Sequence, residues 1–196
     1  LLGERAPRFG AGGSFAPSSA RLNPSQAEAV RFALDAQDAA LVHGPPGTGK
    51  TTTVAELIKE AAARRERVLA TAPSNVAVDN MAETLAESGV RVVRVGHPAR
   101  LLPGVVALSL DAQVASHPLT KAAREVRREL SRMLKRLRRE RDRAARRTLR
   151  DTVRALRGEI DEIETGAVKA VLDGAGVILA TCAGADDVVL ARREFD

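Results

Sequence analysis

A chain of 196 residues with 44% apolar side chains is long enough for one packed domain with an appendage, and too apolar for a disordered or fibrous protein. The single Cys182 excludes an internal disulfide, and the three histidines, His43, His97 and His117, show no ligand spacing, so no zinc site is expected. The net charge of +6 is unevenly placed: residues 121–157 carry 16 Lys/Arg against five acids, an excess of +11, which leaves everything else at about −5.

The chain opens on Leu1-Leu2-Gly3-Glu4-Arg5, with neither a starting Met nor a basic-then-apolar signal pattern, and no apolar run approaches the roughly 20 residues that span a bilayer. It reads as a piece of a longer cytoplasmic protein. Residues 1–21 are rich in Gly, Pro, Ser and Ala and have no apolar periodicity, as a linker or strap does. Pro24 to Gln37 reads as a helix with Asn23 or Ser25 near its cap. A short apolar strand, Ala39 to Val42, is expected to run into a Gly-rich loop, with Thr51 to Arg64 continuing as a helix. Strand Arg67 to Thr71, loop Ala72 to Asn75, helix Val76 to Ser88, strand Arg91 to Val95 and strand Gly176 to Thr181 complete the alternation. Nearly continuous apolar strands alternating with helices indicate a parallel sheet covered on both faces, an α/β fold.

One segment, Pro118 to Val171, departs from the alternation. Its apolar residues fall at three- and four-residue steps: Val126, Leu130, Met133 and Leu137, then Leu149, Val153, Leu156, Ile160 and Ile163. One continuous helix would extend roughly 70 to 80 Å, yet the chain must return to the sheet, so a helical hairpin is expected to turn near Arg141 to Arg147. Arg132, Arg136, Arg139 and Arg143 follow helical steps and are expected to share one face. Such a charge run is either a solvated face or a contact to backbone phosphates; with no Trp or Tyr and only four Phe, base stacking contributes little.

Gly44-Pro45-Pro46-Gly47-Thr48-Gly49-Lys50-Thr51 fits G-x-x-x-x-G-K-[ST] between an expected strand and an expected helix. In that context the glycines let backbone N–H groups curl round phosphates, the helix N-terminus adds partial positive charge, Lys50 reaches the β- and γ-phosphates and the Thr51 hydroxyl holds Mg²⁺. Gln26 lies eighteen residues before Gly44, and its amide suits the N6/N7 edge of adenine, although an ordinary surface glutamine has the same sequence signature. Ser74 and Asn75 stand where a strand meets a helix, a position for receiving a nucleic-acid phosphate or simply for capping the helix.

In order, "LNPSQ", "GPPGTGKT", "TAPSNVAVDNM", "VRVGHPAR" and "VILATCAGA" resemble the motifs of superfamily 1B helicases, the group of the nonsense-mediated-decay helicase, senataxin and the immunoglobulin mu-binding helicase. The resemblance covers about Leu22 to Asp196. It implies a P-loop NTPase (RecA-like) domain, 1A, over residues 22–117 and 172–196, with 118–171 as the inserted 1C stalk. It also implies that Gln26 reads adenine, that Gly44 to Thr52 hold ATP, and that Ser74, Asn75 and Thr181 contact single-strand phosphates. The cofactors would be ATP and Mg²⁺, and the partner single-stranded or partly duplex DNA or RNA.

In this family an apolar strand ending in Asp-Glu-Ala would follow next, its carboxylates holding Mg²⁺ and orienting water. The chain stops at Glu194-Phe195-Asp196, and neither Asp186-Asp187 nor Asp161-Glu162 has the strand-then-carboxylate order. On this reading the Walker B acids, the second RecA-like domain and its arginine finger lie outside the chain, and the piece is expected not to hydrolyse ATP alone. The function so implied is the ATP-binding part of a 5′-to-3′ helicase or translocase. Two rivals share the loop: an AAA-type ATPase acting on protein, which has no place for Gln26 and "TAPSNVAVDN", and a nucleotide-gated nucleic-acid adaptor without hydrolysis.

Overall fold

A computed structural model describes residues 8–10, 22–191 and 193–196, so the expected linker at 1–21 lies outside the described residues except for Arg8, Phe9 and Gly10. The chain forms two compact units, one running to Val92 and resuming at Gly176–Asp196, the other Val93–Ala175.

The first unit begins with α1, Pro24–Asp35. Asn23 is its cap, and a reciprocal capping box closes the first turn: Gln26 N–H donates to Asn23 Oδ1 and Asn23 N–H to Gln26 Oε1, each at 2.9 Å. The helix ends at Asp35 rather than Gln37, because Ala36 turns extended and bridges Phe9 antiparallel. Phe9 also stacks on Phe32 at 5.1 Å between ring centroids, and the Arg8 guanidinium clasps the Asp38 carboxylate at 2.7 Å.

The strand expected at Ala39 to Val42 does not form. Among the described residues the segment pairs with no neighbour, and Leu41 is 93% exposed. An apolar run becomes a strand only beside a ladder that accepts its N–H and C=O groups, and here none adjoins it. The chain continues as α2, Lys50–Ala63; β1, Val68–Ala72; α3, Asn75–Glu87; and β2, Val92–Arg94, with β3, Val177–Thr181, closing the sheet.

The strand order is β1-β3-β2 in a three-stranded parallel sheet. β1 and β3 pair in register from Val68↔Val177 to Ala72↔Thr181. Val177, Ile178, Leu179 and Ala180 are all buried, as a central strand covered on both faces requires. α2 runs back along the sheet: a Cβ built on Gly176, at the start of β3, would lie 3.8 Å from Ala62 near the end of α2. The start of α2 therefore lies at the carboxyl edge of the strands, the edge where open α/β sheets bind ligands.

In the second unit 3₁₀ turns at Pro98–Arg100 and Pro103–Leu108 lead to α4, Leu110–Ser116; α5, Pro118–Arg139; and α6, Arg143–Asp173. At the base, Arg94 is buried and its Nη1 donates to the Val95 carbonyl; a Cβ on Gly96 would come within 2.8 Å of that nitrogen, so glycine leaves the guanidinium its room. α5 and α6 form the expected hairpin, of about 33 and 46 Å at 1.5 Å per residue. Its seam buries Ala123, Val153, Leu156, Ile160 and Ala167.

The turn falls at Glu140–Asp142, at the near end of the expected stretch, and it is built by acids instead of Gly or Pro. Glu140 Oε1 accepts from Arg141 N–H at 2.9 Å and Asp142 N–H at 3.0 Å, and Asp142 caps α6 by accepting from Ala145 N–H at 2.7 Å. Arg143 consequently opens α6 and does not share a helix with Arg132, Arg136 and Arg139, which all lie on α5. No helix of the described residues is long and apolar enough to cross a membrane.

The hydrogen bonds and charge of Arg8 hold the Asp38 carboxyl down from an ordinary 3.8 to about 2. A lowered folded-state pKa makes the clasp stabilising above the ordinary carboxylate range, and that contribution is lost as pH falls from about 4 through about 2. Asp38→Asn is expected to speed hydrogen exchange at neutral pH of the Gly10 amide, which donates to the Asp35 carbonyl at 2.6 Å, and of the Gln37 amide, which donates to the Arg8 carbonyl at 3.0 Å. At about pH 1, below the folded-state value, variant and parent should exchange alike, because the parent's carboxyl is then protonated as well.

Candidate functional site

The Gly-rich loop, residues 44–49, is closed by its own hydrogen bonds. Thr48 Oγ1 donates to the Pro45 carbonyl at 2.9 Å, and Lys50 Nζ donates to the Gly44 and Pro45 carbonyls at 2.5 and 2.8 Å. A Cβ at Gly44 would stand 2.7 Å from Thr48 Oγ1, and Gly49 holds φ +79°, where an L side chain is strained. The loop thus needs glycine at both ends for different reasons, one steric and one conformational. Gly47 also has a positive φ, +81°, and the space its Cβ would fill is open. Pro46 and Thr48 complete the exposed rim.

Gly49 caps α2 with no side chain, and the helical ladder starts only with Thr53 N–H to the Gly49 carbonyl at 3.0 Å. The amides of Lys50, Thr51 and Thr52 are therefore among the four that an α-helix leaves without an internal acceptor. They stand at the positive end of a 14-residue helix, with the Lys50 ammonium beside them. The Thr51 hydroxyl is exposed and makes no hydrogen bond among the described residues. Uncapped amides, an ammonium and a spare hydroxyl converging on one loop suit a polyphosphate with its counter-cation. Beside Thr51 and Thr52, a cavity of about 440 Å³ opens between α2 and α3, lined also by Glu56, Lys59, Thr84 and Glu87.

Gln26 lies against this loop. Its Nε2 donates to the Thr48 carbonyl at 2.9 Å while its Oε1 accepts from Asn23 N–H, so one side chain ties the α1 cap to the loop. The tether is close-fitting, since a Cβ on Gly49 would meet Gln26 Nε2 at 2.5 Å. A glutamine amide has two N–H groups and two acceptor lone pairs, so one of each is left over, the pair that a bidentate contact to adenine uses. Asn23, one of the two cap candidates in the sequence, is the cap; what escaped was its reciprocal bond to Gln26, although Asn three residues before Gln is capping-box spacing.

Ser74, Asn75 and Thr181 gather at the carboxyl edge of the sheet. The Ala72↔Thr181 register sets the ends of β1 and β3 side by side, and Cys182 N–H extends the pairing to the Ala72 carbonyl at 3.0 Å. Ser74 caps α3, accepting from Ala77 N–H at 3.2 Å, and Asn75 is the first residue of that helix. Thr181 Oγ1 accepts from Gly184 N–H at 3.0 Å and so shapes the loop that leaves β3. Each hydroxyl thus has a local structural partner. Among the described residues no group of three or more His, Cys, Asp or Glu is placed to hold a metal, and Cys182 is a free, exposed thiol.

Residues 21–196 match a protein family described as an AAA domain. "DNA-binding protein SMUBP-2" of Rattus norvegicus is 43% identical over 164 residues, 84% of this chain and 17% of that protein. "DNA polymerase alpha-associated DNA helicase A" of Schizosaccharomyces pombe is 35% identical over 175 residues, 89% of this chain and 26% of the relative. "ATP-dependent helicase upf1" of the same yeast is 37% identical over 199 residues, 91% of this chain and 18% of the relative. The chain thus spans about a sixth to a quarter of the length of these relatives. With a P-loop on an α/β sheet and this alignment over nearly all its length, the chain belongs to the AAA-domain family of superfamily 1B, ATP-dependent DNA and RNA helicases.

Proposed function

We propose that the chain is the ATP-binding part of a helicase or translocase that moves 5′ to 3′ along DNA or RNA. The direction comes from the family resemblance. The observation that carries the proposal is one edge: the phosphate-type cradle and the residues proposed for the strand share the carboxyl end of the sheet. In this reading residues 22–117 and 172–196 form the RecA-like 1A domain, and 118–171 the inserted 1C stalk.

The roles follow from the donors each residue presents. The Lys50 ammonium leaves the Gly44 and Pro45 carbonyls for the β- and γ-phosphate oxygens, exchanging neutral acceptors for charged ones that hold it more strongly. Amides of Gly47, Gly49, Lys50, Thr51 and Thr52 point at the remaining oxygens, while Gln26 presents its spare N–H and lone pair to adenine. The Thr51 hydroxyl would hold Mg²⁺, which when bound neutralises charge on the β- and γ-oxygens. Ser74, Asn75 and Thr181 receive strand phosphates at the end of β1, the start of α3 and the end of β3, so a shift in the loop before α2 reaches the strand through elements packed on one sheet.

Lys50→Ala in the full-length protein should abolish ATP-driven unwinding and leave the melting temperature nearly unchanged, because an exposed side chain is removed and nothing from the core. Unwinding at the parent rate would sink the cradle assignment. Gly49→Ala forces a side chain into a left-handed backbone and against Gln26, so it should cost about 1–2 kcal/mol of stability and weaken nucleotide binding at least tenfold. Gln26→Ala should lower the preference for ATP over GTP, measured by competition. Equal weakening towards every nucleotide with unchanged preference would leave Gln26 as a loop tether only.

A further inference from the structure

The cations of the helical hairpin are not spread along it. Between Lys135 and Arg150, the end that holds the turn, stand nine Lys/Arg and two acids, a net +7, whereas Glu159, Asp161, Glu162 and Glu164 make the root of α6 acidic. Nearer the root Arg127 is ion-paired to Glu164 across the two helices. At the tip all nine cationic side chains are exposed, and among the described residues none is paired with a carboxylate. The two acids there are engaged elsewhere, Glu140 and Asp142 accepting backbone amides to build the turn and cap α6.

This arrangement costs stability. Arg143/Arg147, Arg146/Arg150 and Lys135/Arg139 are like-charge pairs at i,i+4, each unfavourable by about 0.2–0.5 kcal/mol, and a merely solvated stalk would interleave signs as the root does. The tip contains no aromatic residue, so it offers nothing for unpaired bases to stack on, a contribution of about 1–3 kcal/mol per base where it exists. What it offers is a firm cationic patch on two packed helices. The patch is about 12 Å long at 1.5 Å per residue and about 10 Å across, a dimension close to the width of a major groove, about 12 Å.

We propose that the tip of the α5–α6 hairpin, centred on Lys135, Arg139, Arg143, Arg146, Arg147 and Arg150, binds the phosphate backbone of duplex nucleic acid without reading sequence. It adds a second surface to the helicase reading, resting on that reading only for the class of polymer. Its residues are separate from Ser74, Asn75 and Thr181.

The test is a combined variant, Arg143→Gln, Arg146→Gln, Arg147→Gln and Arg150→Gln, in the full-length protein. All four side chains are exposed, and glutamine keeps the helix propensity. A charge-matched control carries Arg31→Gln, Arg64→Gln, Arg67→Gln and Arg91→Gln, also exposed and all in the other unit. Binding to a blunt duplex and to an unstructured single strand is titrated at several salt concentrations, with circular dichroism to confirm the helices. The tip variant should lose at least tenfold in duplex affinity, its salt slope flattening by about 0.9 for each phosphate contact removed, with single-strand binding little changed. Equal loss in the control variant, equal loss on both nucleic acids, or loss confined to anionic vesicles or polyglutamate would each overturn the proposal. Ser74→Ala with Asn75→Ala separates the two readings, because it should weaken only the single strand. If it does nothing while the tip variant loses duplex binding, the strand assignment fails and the tip stands.

Discussion

The pairing of Val68–Ala72 with Val177–Thr181 is the interaction on which the rest depends. A parallel strand cannot be completed by a hairpin, so β1 waits more than a hundred residues for its neighbour. The strand that arrives is apolar on both faces and buried along its length, each large side chain contributing about 1.5–3 kcal/mol on leaving water. That gain offsets a loop-closure cost which grows only logarithmically with the intervening chain, so a largely helical excursion as long as residues 95–176 is tolerated between β2 and β3. Register is then fixed residue by residue, and the loops leaving both strands emerge at one edge.

The cradle was legible in the sequence because its chemistry lies in the backbone: glycines at fixed spacing, a lysine and a helix start specify the loop whatever surrounds it. Gln26 was legible as a candidate but not as a tether, since the acceptor it uses, the Thr48 carbonyl, belongs to a segment twenty-two residues away and carries no side-chain signature. That Thr181 stands beside the Ser74 turn needed the strand register, which no local pattern encodes. The error at Ala39–Val42 has the converse cause. Apolarity signals a tendency to pair, but a ladder is a property of two segments, and Leu41 found no second one.

The hairpin was legible in its apolar stripe and obscure in its turn. Periodicity marked the seam, and Val153, Leu156 and Ile160 are indeed buried in it. The reversal was expected nearby, but its construction was not legible, because it uses carboxylates as hydrogen-bond acceptors for the Arg141, Asp142 and Ala145 amides, a device that composition reads as solubility. Buried Arg94 is similar: in the sequence it stands only as one residue of the quoted stretch "VRVGHPAR", but the fold gives Gly96 the task of leaving space for its guanidinium.

Lys50 holds two carbonyls of its own loop, and on its proposed role this makes the chain a competitor for its own ligand site. Any polyphosphate meets an internal rival present at a fixed effective concentration, so the measured dissociation constant equals the intrinsic one divided by the fraction of molecules in which the ammonium has let go. A lone phosphate brings the ammonium the oxygens of one phosphoryl group, whereas a triphosphate brings those of two or three to the loop at once. On that role the closed lysine would act as a filter on ligand valency, weighting the site against short inorganic anions.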